Sequence, residues 1–273
     1  MAHTEPSRRR GRTAESPHAG GFGGRVRDCF NRHAAAYEQG ARLQTAIAAR
    51  LGQLCRSLRP QIPAGQRADL GAGSGLLSRA LETSLGGPPL LRVDLCTELL
   101  AQERTGDPAL VHRQLLWDLN SGLPRQLNGA GLLASSFALQ WLEQPPQRLQ
   151  EWCRQLRSGG WLVLAVPTAG SFGIWRTASA RAEVPFSGLE LPDAEQLETI
   201  ARQELDLQRL QRLRFSWPNH GTLTFLRQIR EIGAQASRQR RLRPGELRRL
   251  MAHWPAADQP LRWEVLLLVG RRH

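Results

Sequence analysis

Leu43, Ile47, Leu51, Leu54 and Leu58 recur at helical spacing and predict an amphipathic helix over about 42–58, which Pro60 and Pro63 close. Downstream, short apolar runs alternate with helical stripes. A strand runs into Asp69, a helix covers about 75–84, and Leu90 to Val93 reads as a strand. A helix near 97–104, a strand near 110–116 and a strand over Leu132 to Ser135 follow. A helix over about 145–156 precedes Trp161 to Val166, a strand ending at Pro167. Such alternation predicts βαβ units and a parallel, doubly wound sheet.

From about 170 to 250 the pattern becomes more helical. Leu223, Leu226, Ile229 and Ile232 form a stripe that stops at Gly233, a residue suited to capping a helix end. Leu247 to His253 predicts a further helix, and the apolar run Trp263 to Val269 a buried strand. No internal repeat is visible.

The N-terminal segment breaks this order. Residues 1–24 carry Arg8-Arg9-Arg10 and Gly20-Gly21-Phe22-Gly23-Gly24, with too little apolar surface to offset the entropy of ordering. A disordered basic tail is expected there, with order beginning near Val26. The remainder is expected to divide into an alternating strand–helix core over 25–169, a mainly helical region with one sheet strand over 170–255, and a closing strand over 256–273.

Composition narrows the setting. The chain has 273 residues, enough for one full-sized core. No apolar run approaches the roughly 20 residues that span a bilayer, and the N-terminus lacks a signal-peptide core. A cytoplasmic monomer with no membrane association is expected. Cys29, Cys55, Cys96 and Cys153 are scattered without ligand spacing, which argues against disulfides and against a metal site. Net charge is +13, and all 37 residues counted as lysine or arginine are arginine. That surplus either steers an acidic partner or sits solvated on helix faces. With 7 Phe and 1 Tyr and no RNA-binding motif, nucleic acid is not the expected partner.

Candidate chemistry gathers at the strand ends. Asp69-Leu70-Gly71-Ala72-Gly73-Ser74-Gly75 is a glycine-rich turn between a strand and a helix. In dinucleotide folds a pyrophosphate sits at such a turn. Here an acid stands two residues before Gly71, which repels a pyrophosphate and suits a cationic ligand with an amino group. Asp94 ends the next strand, 19 residues after Gly75, close to the offset at which an acid bonds ribose hydroxyls. Asp118 follows the third strand, where it is placed to accept from an adenine amino group. S-adenosylmethionine, with its sulfonium and ammonium, fits this charge pattern better than NAD.

These motifs resemble the class I methyltransferases: D-x-G-x-G-x-G, then an acid ending strand two and another ending strand three. Leu156-Arg157-Ser158-Gly159-Gly160-Trp161 is similar to that class's turn before strand five. The resemblance implies a Rossmann-like α/β fold, a seven-stranded, mostly parallel sheet with a C-terminal antiparallel strand, and S-adenosylmethionine as cofactor. Flanking segments resemble one family in particular, the malonyl-acyl-carrier-protein O-methyltransferases of biotin synthesis. They are Phe30 to Glu38 followed by Gln44, Ser135 to Trp141, Thr168 to Phe172, Leu226 to Ala234 and Leu261 to Val265. Ser136, Gly131, Ile174-Trp175 and Arg262-Trp263 depart from that family's pattern.

By this resemblance, Tyr37, Gln44, Asp69, Gly71, Gly73, Gly75, Asp94, Leu95, Asp118, Leu119 and Ser135 hold the cofactor. Tyr37, Gln140, Trp141 and Arg176 serve the transfer, with Arg176 the candidate cation for a substrate carboxylate. The implied partner is an acidic acyl-carrier protein bearing malonyl. The implied product is the methyl ester that primes biotin synthesis. Methylation of another small acid or a quinone precursor satisfies the class motifs equally, and an RNA-binding methyltransferase is the reading furthest from the residues.

Overall fold

The structure is a computed structural model that describes residues 21–104 and 112–273. The tail expected over residues 1–20 lies outside the described residues, as do the first two residues of the strand expected over 110–116. Seven strands form one sheet: β1 (Arg67–Leu70), β2 (Leu91–Asp94), β3 (Gln114–Leu116), β4 (Ala130–Ser136), β5 (Leu156–Pro167), β6 (Leu205–Trp217) and β7 (Leu261–Arg272). Their order is β3-β2-β1-β4-β5-β7-β6, and β7 alone runs against its neighbours. The class I methyltransferase sheet implied by the motifs is therefore present.

Strand periodicity separates two cores. Leu162, Leu164 and Val166 of β5 point to one face, where α6 (Pro145–Gln155) and α8 (Ala194–Glu204) bury Leu149, Trp152, Leu197 and Ala201. Trp161, Val163 and Ala165 point to the other, against Leu43, Ile47 and Leu51 of α3 (Arg42–Cys55) and Leu77, Leu81 and Leu85 of α4 (Leu76–Leu85). Each fully buried leucine of this kind contributes roughly 1.5–3 kcal/mol. Helix α5 (Thr97–Arg104) follows β2.

Beyond these layers, α7 (Gly173–Arg181), α9 (Thr222–Glu231) and α10 (Pro244–Ala252) share a third core around Phe172, Trp175, Phe225 and Leu250. It is aromatic: the Phe172 ring lies 4.3 Å from Trp263 and 5.4 Å from Phe225, both tilted out of parallel. At the other end, α1 (Phe22–His33) and the single turn α2 (Tyr37–Gly40) precede α3.

Three expectations need correction. Residues 22–24 belong to α1 rather than to a tail, because Phe22, 6% exposed, packs with Val26 and Ala236. Strand β6 spans 13 residues that the pattern did not locate within the helical stretch. It is an edge strand on which only Leu205 is buried, so its sequence lacks a clean apolar alternation. On α9 the buried face is Thr222, Phe225 and Ile229; Leu223, placed on the apolar stripe, is 48% exposed. None of the described helices is long and apolar enough to cross a membrane.

One buried ion cluster braces the sheet beneath the glycine turn. Arg92 of β2 is 1% exposed and donates to Glu103 at 3.0 and 2.9 Å and to Glu82 at 2.8 Å. Replacing it with an apolar residue strands a buried carboxylate, so Arg92→Met is expected to lower the unfolding free energy by about 3–5 kcal/mol. Urea denaturation checks this, with Arg92→Met/Glu103→Leu expected to recover most of the loss. An equal loss in both variants would assign the cost to packing rather than to charge.

Candidate functional site

The sheet order reverses between β1 and β4, and open α/β sheets bind ligands outside the strand ends at such a point. A cavity lies there. Its walls include Asp69, Gly71 and Gly73 from the turn after β1, Asp94 and Leu95 after β2, and Asp118 and Leu119 after β3. Tyr37, Gln44 and Trp141 line it as well, so the structure brings together most of the residues the motifs nominated. Gly71, at φ +72°, must lack a Cβ because one would overlap the Ala138 methyl.

The floor is acidic. Asp69 is 1% exposed; its Oδ2 accepts from Ser78 Oγ at 2.7 Å, and its Oδ1 is buried without a partner. Burial pushes its carboxyl up to about 7, against the pull of the Ser78 hydrogen bond and Arg92. Asp94 accepts from the backbone N–H of Gly73 and of Cys96, both at 2.7 Å. Burial raises its carboxyl too, while those N–H groups hold it back. Asp118 accepts from Asn120 N at 2.9 Å, which fixes its carboxylate at the cavity wall.

This arrangement fits S-adenosylmethionine. The orphaned Asp69 Oδ1 is an acceptor awaiting a donor, as the cofactor's ammonium is, and leaving it unpaired in the interior is costly. Asp94 and Asp118 offer carboxylates at successive strand ends, and among the described residues no basic side chain lines the cavity. Tyr37, Phe30 and Trp141 form its aromatic side, with Phe30 set edge-on at 6.2 Å to Tyr37 and 5.4 Å to Trp141. Aromatic faces attract a sulfonium. Burial, reinforced by Asp94, raises the Tyr37 phenol above its ordinary range, so it stays neutral.

Two nominated cofactor residues stand behind the cavity rather than on it. Ser135 is fully buried and donates to the Leu70 carbonyl at 2.7 Å, tying β4 to β1; strand alternation turns Ser136 to the cavity in its place. Gly75, in the left-handed region at φ +84°, starts α4, and the Glu103 carboxylate occupies the space its side chain would need. The turn after β1 therefore rests on the Arg92–Glu103 pair.

A second, larger cavity adjoins the first, and Phe30, Tyr37, Gln44, Phe137 and Trp141 line both. Gln140 faces only this second space: its Nε2 donates to the Phe137 carbonyl at 2.7 Å, and its Oε1 is buried without a partner. Phe137 is held at φ +57°, a strained conformation for a bulky residue at the end of β4. Arg176 lines neither cavity. It pairs with Glu190 and stacks over Phe186 at 4.3 Å, so the structure does not bring it to the site.

Glu264 is a residue the pattern did not single out. Its Oε1 accepts from Thr168 Oγ1 at 2.9 Å, its Oε2 from Arg214 at 3.2 Å, and its backbone exchanges hydrogen bonds with Ser171 Oγ at 2.9 and 3.1 Å. It thereby pins the Gly170-Ser171 turn to β7 and sets Phe172 at the second cavity. Its signal was available: Thr168 to Phe172 and Leu261 to Val265 were noted separately, and they form one hydrogen-bonded unit.

The comparisons agree with this geometry. A family model described as a methyltransferase domain matches residues 68–164. The malonyl-[acyl-carrier protein] O-methyltransferase of Herminiimonas arsenicoxydans is 32% identical over 232 residues, which is 84% of each chain. The biotin biosynthesis bifunctional protein BioCD of Bordetella avium is 31% identical over 212 residues, or 77% of this chain, and the match spans 42% of that longer protein. Among solved structures, YcgJ of Bacillus subtilis superposes with a TM-score of 0.54 at 12% identity over 82% of this chain and 98% of that one, a likeness of fold alone.

Asp69 carries the expectation that tests this site. Its charged form predominates above about 7 and is lost as the pH falls through that value, so affinity for S-adenosylmethionine is expected to fall with it. Asp69→Asn is expected to cost about 1.5–3 kcal/mol of binding at neutral pH and to flatten this dependence, read by calorimetric titration. A dependence that persists in Asp69→Asn would assign the titration to another group. Fold, acidic cofactor cavity and the extent of the sequence match converge: the chain belongs to the family of malonyl-[acyl-carrier protein] O-methyltransferases.

Proposed function

We propose that this protein transfers a methyl group from S-adenosylmethionine to the free carboxylate of a malonyl thioester carried on an acyl-carrier protein. The observation that carries the reading is the junction of the two cavities at Tyr37 and Trp141. A cofactor cavity lined by no cation among the described residues opens there onto a space that Arg25, Arg32, Arg230 and Arg241 also line. The names of the relatives support the same substrate.

When bound, S-adenosylmethionine supplies a methyl group made electrophilic by its sulfonium. A carboxylate with an ordinary pKa near 4 is already ionised at neutral pH and needs no general base. The second cavity accordingly offers no free acid for that role among the described residues: Asp28, its one lining carboxylate, is paired with Arg27 at 2.9 Å. What the chain contributes is position. Phe30, Tyr37 and Trp141 wall the junction and exclude water, and Gln140 presents a buried amide beside it.

The cation for the substrate carboxylate is proposed to be Arg230 of α9 rather than Arg176. Arg230 lines the second cavity and has no ion-pair partner among the described residues, whereas Arg176 is committed to Glu190. A guanidinium suits a carboxylate through two parallel hydrogen bonds.

Methyl transfer from labelled S-adenosylmethionine to malonyl-, acetyl- and succinyl-carrier protein tests the proposal. Label is expected on the malonyl form alone, as a base-labile ester. Arg230→Leu is expected to raise KM for the malonyl form about tenfold or more, the worth of one charge-assisted contact. Cofactor binding without malonyl transfer would discard the substrate and retain the cofactor site.

A further inference from the structure

One continuous stretch of chain runs along the first cavity. Gly23, Val26 and Phe30 of α1 and Tyr37 of α2 all line it. At one end a Cβ on Gly23 would stand 3.5 Å from the Asn120 amide and 3.9 Å from the Asp118 carboxylate; at the other, Glu38 pairs with α4. The segment therefore reaches from the end of β3 to the helix that follows β1. Its α1 half is anchored on α5, where Asn31 Oδ1 accepts from the backbone N–H of Glu98 at 3.1 Å. That bond supplies from outside an acceptor that the start of a helix needs.

The α2 end is held differently. It is a single turn of four residues, none of them buried. Its charged anchor is Arg79 of α4, whose Nη2 donates to Glu38 Oε1 at 2.7 Å. The other terminal nitrogen of the same guanidinium donates to the Ser74 carbonyl at 2.6 Å and lies 3.8 Å from Glu103 Oε1. Ser74 is 1% exposed and lines the first cavity between Gly73 and Gly75. One side chain thus grips both the glycine turn on the cavity floor and the residue next to Tyr37. Arg79 itself lines neither cavity, so it can act on a ligand only through the residues that it joins.

Exposure decides what this pair can do. The Arg79 and Glu38 side chains are 44% and 46% exposed, and ion pairs in that setting add little to global stability. Local opening is another matter, because its cost is set by the few contacts that the opening breaks. For a turn with no buried residue, one ion pair is a large share of that cost. Arginine suits the task, since its planar fork serves two acceptors at once where a lysine presents a point charge.

We propose that Arg79 is a positioning residue for the cofactor: by joining the glycine turn to the Tyr37 turn through Glu38, it sets how long S-adenosylmethionine stays in the first cavity. Release requires the Tyr37 turn to lift, and lifting it breaks the Arg79–Glu38 pair while Asn31 keeps α1 on α5. The proposal does not depend on which acceptor receives the methyl group.

The full chain is compared as wild type, Glu38→Gln, Arg79→Met and the double variant. Release of labelled S-adenosylmethionine into an excess of unlabelled cofactor is timed by rapid filtration. Glu38→Gln is expected to speed release about threefold, the worth of one half-exposed pair. Arg79→Met is expected to speed it at least as much, and the double variant no more than Arg79→Met alone. Salt at about 0.5 M is expected to bring the wild type within about 1.5-fold of Glu38→Gln, because it screens the pair that the variant lacks. The unliganded melting temperature of Glu38→Gln is expected to stay within about 2 °C of the wild type, which separates a hold on the cofactor from a role in folding. Release from Glu38→Gln at the wild-type rate, additive effects in the double variant, a gap that survives high salt, or a larger fall in that melting temperature overturns the proposal.

Discussion

The site depends on how closely the turn after β1 approaches the loop after β4. These strands are parallel neighbours where the sheet order reverses, and Ser135 locks their ends together through the Leu70 carbonyl. Gly71 lies so near Ala138 that no side chain fits between them. That approach fixes the first cavity's floor and, through Ala138, the start of the loop that carries Gln140 and Trp141. A single backbone constraint therefore sets the relation between the first cavity and the second.

Electrostatics follow from that frame. Asp69, Asp94 and Asp118 converge because three successive strands end on one rim, and burial raises the first two carboxyls. Arg92 stands behind them, shared between Glu82 and Glu103, and supplies the positive charge that makes an acidic floor tolerable in the interior. The first cavity is thus lined by carboxylates, while arginines line the mouth of the second. Opposite charge on the two sides of Tyr37 and Trp141 suits the proposed reaction between a cationic donor and an anionic acceptor.

The helical cap is attached to the sheet through β7. Glu264 ties the Gly170-Ser171 turn to that strand, and the Phe172, Trp175, Phe225 and Trp263 rings pack the cap against the strand's start. These contacts seat the cap helices on the sheet edge beside the second cavity. The same hydrogen bonds place two segments, distant in sequence, at one wall of the second cavity.

Much was legible in the residues alone. The alternation of strands and helices up to Pro167, the glycine turn and the acids at three strand ends are local signals, because period and turn chemistry act over a few residues, and they determined the fold class and the cofactor cavity. Signals failed where a residue's role depends on what lies across from it. Strand β6 is an edge strand with little burial, so no apolar pattern marks it. Ser135 and Ser136 differ by one position, and only the register of β4 decides which faces the ligand. Arg176 and Arg230 are equivalent as sequence in a chain this rich in arginine. Tertiary structure separated them, because a guanidinium is available to a ligand only where no carboxylate of the protein has claimed it, and Glu190 had claimed one of the two.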